Sequence, residues 1–283
     1  MEKITFECEI ITPMFMYGGD GKTLELRPSE FKGMLRFWFR ALHPELPIPE
    51  LKRKENEIFG STDRKGSFRI KVEQITSICR YHLLPHKNRA NIPAYAPHQK
   101  FNIEFLFQNL KNKETIKNLF ILSTIIGGFG RRSRRGFGSI RISRINNTEF
   151  DYANLQFIEG IQELIKSINP NFKFNFRKEK KEENYPFIRN VEIGNIAYSS
   201  YDEILKHIGQ MTHDCRCGKA KVFSNIDRFV SPCYVSVIKK DKEYYPIITS
   251  LNIALPDNQK VSKEQLNTIT NFKNSILQKK NLC

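Results

Sequence analysis

A twelve-residue segment, Gly127-Gly-Phe-Gly-Arg-Arg-Ser-Arg-Arg-Gly-Phe-Gly138, constrains this chain more than any other. It holds five glycines, four arginines and two phenylalanines, and it follows directly on the apolar run Leu119–Ile126. Glycine permits positive φ and close approach of the backbone to a neighbour. Arginine carries a permanently charged planar fork that matches phosphate and stacks on bases. Interleaved after an apolar segment, the two describe a loop able to grip a polyanion with exposed amides and guanidinium groups. The alternative is a flexible, solvated basic loop, which gives no reason for glycines on both sides of the arginines.

Charge supports the first reading. The net charge of the 283-residue chain is +16. Residues 1–146 hold 26 Lys+Arg against 14 Asp+Glu, a balance of +12, and residues 147–283 hold 20 against 16, a balance of +4. An anionic partner is therefore expected mainly on the first half. The hydrophobic share of 40% and charged share of 27% describe a globular chain rather than a disordered one. The start Met-Glu-Lys-Ile-Thr-Phe lacks a basic region followed by an apolar one, and the longest apolar run is too short to cross a bilayer. Six scattered cysteines with no secretory signal read as reduced thiols in a cytoplasmic protein, with no membrane partner.

Periodicity places the motifs. Ile4, Phe6, Cys8 and Ile10 alternate as a half-buried strand. Pro28 opens a helix with Phe31, Met34, Leu35, Trp38 and Leu42 at helical spacing, closed by Pro44 and Pro47. Residues 68–72 and 101–107 alternate as two more strands. Residues 114–126 read as a helix with Ile116, Leu119, Phe120 and Ser123 on its inner side, and Ile140, Ile142 and Ile145 as a fourth strand. The order β-α-β-β-α-β is the split βαβ, or ferredoxin-like, plan. The second half gives strand 185–194, helix 200–211, strands 229–239 and 244–255, and helix 262–280, a second such unit with an irregular or borrowed last strand. The fold class is thus α+β with two ferredoxin-like (RRM-like) domains, residues 1–146 and 147–283, joined near Asn146-Asn147.

Within the first helix, Lys32, Arg36 and Arg40 recur every four residues and share one stripe, with no carboxylate between them along the helix. A phosphate chain or plain solvent would suit that stripe; Trp38 falls in the core sector. The glycine loop is neither a triphosphate-binding loop, which ends in Gly-Lys-Ser/Thr, nor a dinucleotide loop, which needs a later acidic ribose ligand. It lies between a helix and a strand, a place suited to a long strand of nucleic acid crossing a sheet edge. Aromatic residues beside it, Tyr17, Phe129 and Phe137, are candidates to stack on splayed bases, with Phe137 equally able to anchor the next strand. His213, Cys215 and Cys217, with Cys233 as a fourth, fall short of the two separated ligand pairs of a structural zinc, so no metal and no cofactor is expected. His43, His82, His86 and His98 sit in no paired constellation, and no catalytic residue is assigned. Exchanging Arg131 and Arg134 for Glu is expected to weaken RNA binding and cost little stability.

Three segments resemble a known family. Thr12-Pro-Met-Phe-Met-Tyr-Gly-Gly19, then Leu26-Arg-Pro-Ser-Glu-Phe-Lys-Gly-Met-Leu-Arg-Phe-Trp-Phe-Arg-Ala41, then the glycine loop, resemble the RAMP superfamily of CRISPR proteins. The string 35–41 is similar to the first subunit of the Cmr complex, the type III-B RNA-guided effector. Asp227-Arg-Phe-Val-Ser-Pro232 is similar to a late Arg-x-x-Ser-Pro segment, although Phe229-Val230 stand where small residues are more usual. The resemblance implies two ferredoxin-like domains and a non-catalytic subunit beside the 3′ end of the guide RNA. It would adjoin the sixth-numbered Cmr subunit and help capture target RNA. It further implies RNA contacts from Tyr17, Gly18, Gly19 and Arg27, from Lys32, Arg36 and Arg40, from loop residues Gly128, Gly130, Arg131, Arg132, Arg134, Arg135 and Gly136, and from Arg228. Guide and target RNA and the other Cmr subunits are then the partners. A metal-independent endoribonuclease that processes CRISPR transcripts is the alternative within the same superfamily.

Overall fold

A computed structural model of the chain describes residues 2–176, 185–215, 231–254 and 263–277. Strand β1 (Glu2–Ile10) turns Ile4, Phe6, Cys8 and Ile10 inward, each 2% exposed or less, while the residues between them stay partly or fully in solvent. Its alternation is that of a strand covered on one face. The first unit then runs α1 (Pro28–Ala41), α2 (Ile48–Phe59), β2 (Phe68–Val72), a ribbon of β3 (Ile78–Leu84) and β4 (Arg89–Tyr95), β5 (Lys100–Phe107), α3 (Lys113–Ile126), β6 (Ile140–Ile145) and the short β7 (Thr148–Glu149). The main sheet has the order β2-β5-β1-β6-β7, with β1 antiparallel to β5 and β6 in the middle. Without α2, the ribbon and β7, this is the ferredoxin-like β-α-β-β-α-β unit.

Helix α4 (Ile158–Ile168) leads into the second unit, β8 (Ile188–Ile193), α5 (Tyr201–Asp214), β9 (Cys233–Lys240), β10 (Glu243–Leu251) and α6 (Lys263–Leu277). Its antiparallel sheet has the order β8-β10-β9, three of the four strands of a second ferredoxin-like unit. Ser200 caps α5, its hydroxyl accepting from the Glu203 N–H. Asn146 and Asn147, expected as a linker, are the positive-φ residues of the β6–β7 turn, and β7 continues the first sheet to Glu149. The mixed charge run Arg-Lys-Glu-Lys-Lys-Glu-Glu at 177–183 lies outside the described residues.

Helix α3 departs most from expectation. The apolar pattern predicts one buried side, yet every residue from Leu119 to Ile126 is buried. The first sheet covers one side, and β9 and β10 of the second sheet, together with α1 and α4, pack on the others. A helix enclosed on all sides is apolar all round. Its last carbonyls, which lack helical donors, are met from the second sheet: Ser236 Oγ donates to Ile125 O at 2.5 Å and Thr249 Oγ1 to Ile126 O at 3.2 Å. The two halves accordingly share one core, with Tyr234, Ile247 and Val191 in the same cluster as Phe6 and Phe120.

Three elements escape the sequence pattern. Helix α4 starts without a side-chain cap and has Gly160 in its first turn, where a Cβ would run into the Asn154 carbonyl. Helix α2 is masked by its charge density and by Pro47 at its start. The ribbon packs the half-buried Cys79, Tyr81, Leu83 and Ile92 and the buried Ala94 against a small cluster with Phe15, Phe137 and Leu205, while Tyr95 at the end of β4 joins the main core. Phe129 and Phe137 are both core residues, at most 1% exposed, so neither is available to stack on a base.

Gly138 has φ +64°, and a Cβ there would overlap the Phe129 carbonyl oxygen. Gly138→Ala is expected to cost about 1–2 kcal/mol from the left-handed backbone, with the overlap adding to it, lowering Tm by roughly 4–8 °C. Gly19→Ala has nothing within 4 Å and should leave Tm within about 1–2 °C. Thermal denaturation of the two variants checks the pair.

Candidate nucleic-acid interface

The early glycine turn is a built structure. Tyr17 and Leu24 bridge as its base. The Gly18 N–H donates to Thr23 O at 2.8 Å and the Gly21 N–H to Gly18 O at 3.0 Å. The Asp20 carboxylate accepts from the Thr23 hydroxyl and from the Lys22 and Thr23 amides, which together hold its pKa down to about 2. Beside this turn runs the start of the long glycine loop. The Arg131 N–H donates to Phe15 O at 2.8 Å, and Gly130 takes φ +83° so that it can lie against that same carbonyl. A side chain at 130 would overlap Phe15 O.

The two glycine segments and the beginning of α1 enclose a groove of about 440 Å³ lined by Tyr17, Gly18, Arg27, Glu30, Gly130 and Arg131, among others. Arg131 is exposed and lies 5.9 Å over the Tyr17 ring. The Tyr17 hydroxyl donates to Pro93 O on β4 at 2.6 Å, which fixes the ring, and partial burial raises its pKa. The first turn of α1 opens here without a side-chain cap. A helix N-terminus of this kind favours anions. Glu30 is the one carboxylate among the lining residues described and works against that preference. Gly19 sits exposed on the rim of the turn.

The remaining loop residues turn away from the groove. Arg134 donates to Ser231 O at 2.7 Å and packs between the Phe37 and Tyr234 rings, 5.4 Å from each centroid. Arg135 lies over Phe272 of α6 and reaches Ser231 Oγ and Cys233 O at 3.4 Å. Gly136 is buried against Leu205, Ile208 and Val237, and its N–H donates to Val235 O. Gly128 is buried, and its carbonyl accepts from the Tyr234 hydroxyl. These four residues hold the second unit onto the first, a role the sequence reading did not assign them. Arg132 is half-buried with φ +59°, and its Nε has no hydrogen-bond partner among the described residues.

The helical stripe also differs from expectation. A carboxylate does accompany it, supplied by α2: Glu55, buried, accepts from Arg36 at 3.2 Å and Arg40 at 2.7 Å. Arg36 also donates to Gly60 O and lies over Phe59. Lys32 rests over Phe68, and desolvation, with Arg36 nearby, lowers its pKa. The stripe therefore lies along α2 and β2 and shares no lining residue with the groove. Glu55 gave no signal in the sequence because α2 itself was not legible.

Arg228 and Cys217 lie outside the described residues. Trp38 is a core residue, as its sector implies. His43 is buried with Nδ1 2.7 Å from Phe39 O, and burial lowers its pKa. His98 pairs with Glu9 at 3.1 Å. Among the described residues no three His, Cys, Asp or Glu side chains converge as a metal site, and no helix is long and apolar enough to cross a membrane.

Fold and groove together define an α+β protein of two ferredoxin-like units with a glycine-rich loop at their junction, and residues 7–141 match the model of the RAMP superfamily. The particular likeness is to the first subunit of Cmr complexes. The chain is 28% identical over 182 residues to CRISPR system Cmr subunit Cmr1-2 of Pyrococcus furiosus, covering 51% of this chain and 97% of that one. It is 30% identical over 144 residues to subunit Cmr1-1 of the same organism, of whose length it spans 42%. The crystal structure of Cmr1 from Pyrococcus furiosus in its apo form superposes with a TM-score of 0.69 at 20% identity, covering 98% of this chain and 96% of that one. A chain of the type III-B Cmr-beta complex bound to cognate target RNA superposes at 0.65 with 12% identity, covering 97% and 99%. At these identities the superpositions speak for the fold.

The geometry separates the loop arginines by role. Arg134→Glu removes a hydrogen bond from a charged donor and contacts with two aromatic rings, together about 2–4 kcal/mol, so thermal denaturation should show a Tm at least about 5 °C lower. Arg131→Glu should leave Tm within about 2 °C and weaken binding of a single-stranded RNA at least tenfold in fluorescence anisotropy. The reverse pattern would make Arg131 the anchor and Arg134 the contact.

Proposed function

We propose that this chain is the non-catalytic, RNA-binding first subunit of a type III-B CRISPR ribonucleoprotein, working in the cytoplasm. It contacts guide RNA near its 3′ end, target RNA, or both, and sits beside the sixth-numbered Cmr subunit. The observation that carries the reading is the groove, where two distant glycine segments and the start of α1 bring Tyr17, Gly18, Arg27, Gly130 and Arg131 together. Arg27, Arg131 and the uncapped helix end offer charge and donors to phosphate and ribose, while few side chains there are placed to read base edges. Sequence would be read by the pairing of guide with target, as in other RNA-guided systems. The likeness to Cmr first subunits, and the cognate target RNA in a Cmr-beta assembly with a chain of the same fold, support the assignment. We propose the division of labour at the same boundary, with residues 1–146 holding the RNA and residues 147–283 bracing them.

The groove's lining explains why binding without cleavage is favoured. Cleavage at a 2′-hydroxyl needs a base to take its proton and an acid for the leaving oxygen. Among the described lining residues there is no imidazole, and the Tyr17 hydroxyl is engaged with Pro93 O and held protonated by its raised pKa.

The two groove cations, Arg27 and Arg131, predict that affinity for single-stranded RNA falls by about sevenfold between 50 and 200 mM salt. Anisotropy titrations at the two salt concentrations measure this, and a salt-independent affinity would remove the phosphate-binding reading. Incubating the same protein with CRISPR repeat RNA in EDTA should leave the RNA intact. Discrete products ending in 2′,3′-cyclic phosphate would establish the endoribonuclease instead.

A further inference from the structure

Glu30 lines the groove together with Arg27 and Arg131. A ribose-phosphate strand held by the two arginines brings its own negative charges against that carboxylate, and like charges repel. The ordinary reasons for a carboxylate at this place leave it unexplained. It is no ion-pair partner, because among the described residues its carboxylate forms neither an ion pair nor a hydrogen bond. Nor does it cap α1. A Glu at the third position of a helix ordinarily reaches back to the N–H of the residue before the first. Here that N–H, of Arg27, donates instead to Met16 Sδ at 3.3 Å. The helix dipole favours a carboxylate in the first turn, but it does so whether the carboxylate faces a groove or open solvent.

The other carboxylates of this region are accounted for. Asp20 is bonded within its own turn, and Glu25 lies against Gly18, outside the described lining residues. Tyr17 spends its hydroxyl proton on Pro93 O, and Met16 spends its sulfur on the Arg27 amide. Glu30 is therefore the lining side chain that keeps its acceptors open toward the groove. An ionised carboxylate only accepts hydrogen bonds. Phosphate oxygens offer it none, whereas the 2′-hydroxyl of a ribose donates one. Acidic side chains meet ribose hydroxyls in this way in dinucleotide-binding proteins.

We infer that Glu30 is the residue by which the groove tells RNA from DNA, its carboxylate accepting a hydrogen bond from a ribose 2′-hydroxyl while Arg27 and Arg131 hold phosphates. The 2′-hydroxyl is the group that lets a protein make this distinction. With RNA, the hydrogen bond to a charged acceptor offsets the repulsion between carboxylate and phosphates. With DNA the repulsion stands alone. Specificity of this kind is built from a penalty on the wrong ligand as much as from a contact with the right one. The inference rests on the RNA-binding reading of the groove and names the residue that sets its choice of sugar.

The test uses the full chain and one fluorescently labelled single-stranded dodecamer in three forms, RNA, 2′-fluoro RNA and DNA, followed by anisotropy at low salt. Fluorine keeps the RNA-like sugar shape but donates no hydrogen bond, so it separates reading of the hydroxyl from reading of shape or of a base. Wild type should bind RNA at least about tenfold more tightly than either other form, as one hydrogen bond to a charged acceptor allows. Glu30→Ala should bring the three within about twofold of one another. It should also bind DNA and 2′-fluoro RNA more tightly than wild type does, a gain that a structural role for Glu30 would not produce. Glu30→Gln, which keeps the shape of the side chain, should lose part of the preference in the same direction. A preference for RNA unchanged in both variants, or 2′-fluoro RNA bound by wild type as tightly as RNA, would overturn the inference. Arg131→Glu reads the groove separately. If it weakens all three forms at least tenfold while Glu30→Ala keeps the preference, the groove stands and the inference falls. If it leaves RNA affinity unchanged, the groove reading falls and takes the inference with it.

Discussion

The architecture depends on how helix α3 ends. Its last turn leaves backbone carbonyls without helical partners in a place that no water reaches, and hydroxyls from the second sheet supply the missing donors. The loop that follows can then run beside β9, bonded to Val235 on both its N–H and its C=O. Helix, loop and second sheet thus form one interlocked set. Removing the second unit would expose the apolar residues of α3 from Leu119 to Ile126 and leave those carbonyls unmet.

This arrangement divides four neighbouring arginines among three tasks. Arg134 and Arg135 are spent on holding the second unit, through main-chain carbonyls and aromatic faces. Arg131 remains in solvent over Tyr17, and Arg132 takes the left-handed backbone conformation of the turn between them. The same economy governs α1, where Glu55 from α2 engages Arg36 and Arg40. A strongly basic composition therefore overstates the charge available to a ligand, because much of it is consumed inside the protein.

Much of this was legible in advance. The alternation of Ile4, Phe6, Cys8 and Ile10, the helical spacing of Phe31, Leu35 and Trp38, and the β-α-β-β-α order of the second half all carry periods that follow from burying one face. The turn at Tyr17 and the loop at Gly130 stand out in the sequence as two glycine-rich segments, and in the fold they line one groove. What could not be read was direction. Arg131 and Arg134 are the same residue type three positions apart, and only the presence of Ser231, Phe37 and Tyr234 decides that one is anchored and the other exposed. Helix α2, and Glu55 with it, was hidden by lysines and glutamates that obscure its apolar stripe. The full burial of α3 follows from a second sheet whose position no local pattern records.

The pairing of the loop with β9 has a consequence for how the groove works. A segment this rich in glycine would sample many conformations if it were tethered only at its ends, and closing it around a ligand would carry a heavy entropic penalty. Here Arg134 to Gly136 is stitched to a neighbouring strand, and Arg131 inherits that fixed footing a few residues away. The glycines give the backbone its shape once, during folding, so the groove stands as a finished mould before any ligand arrives.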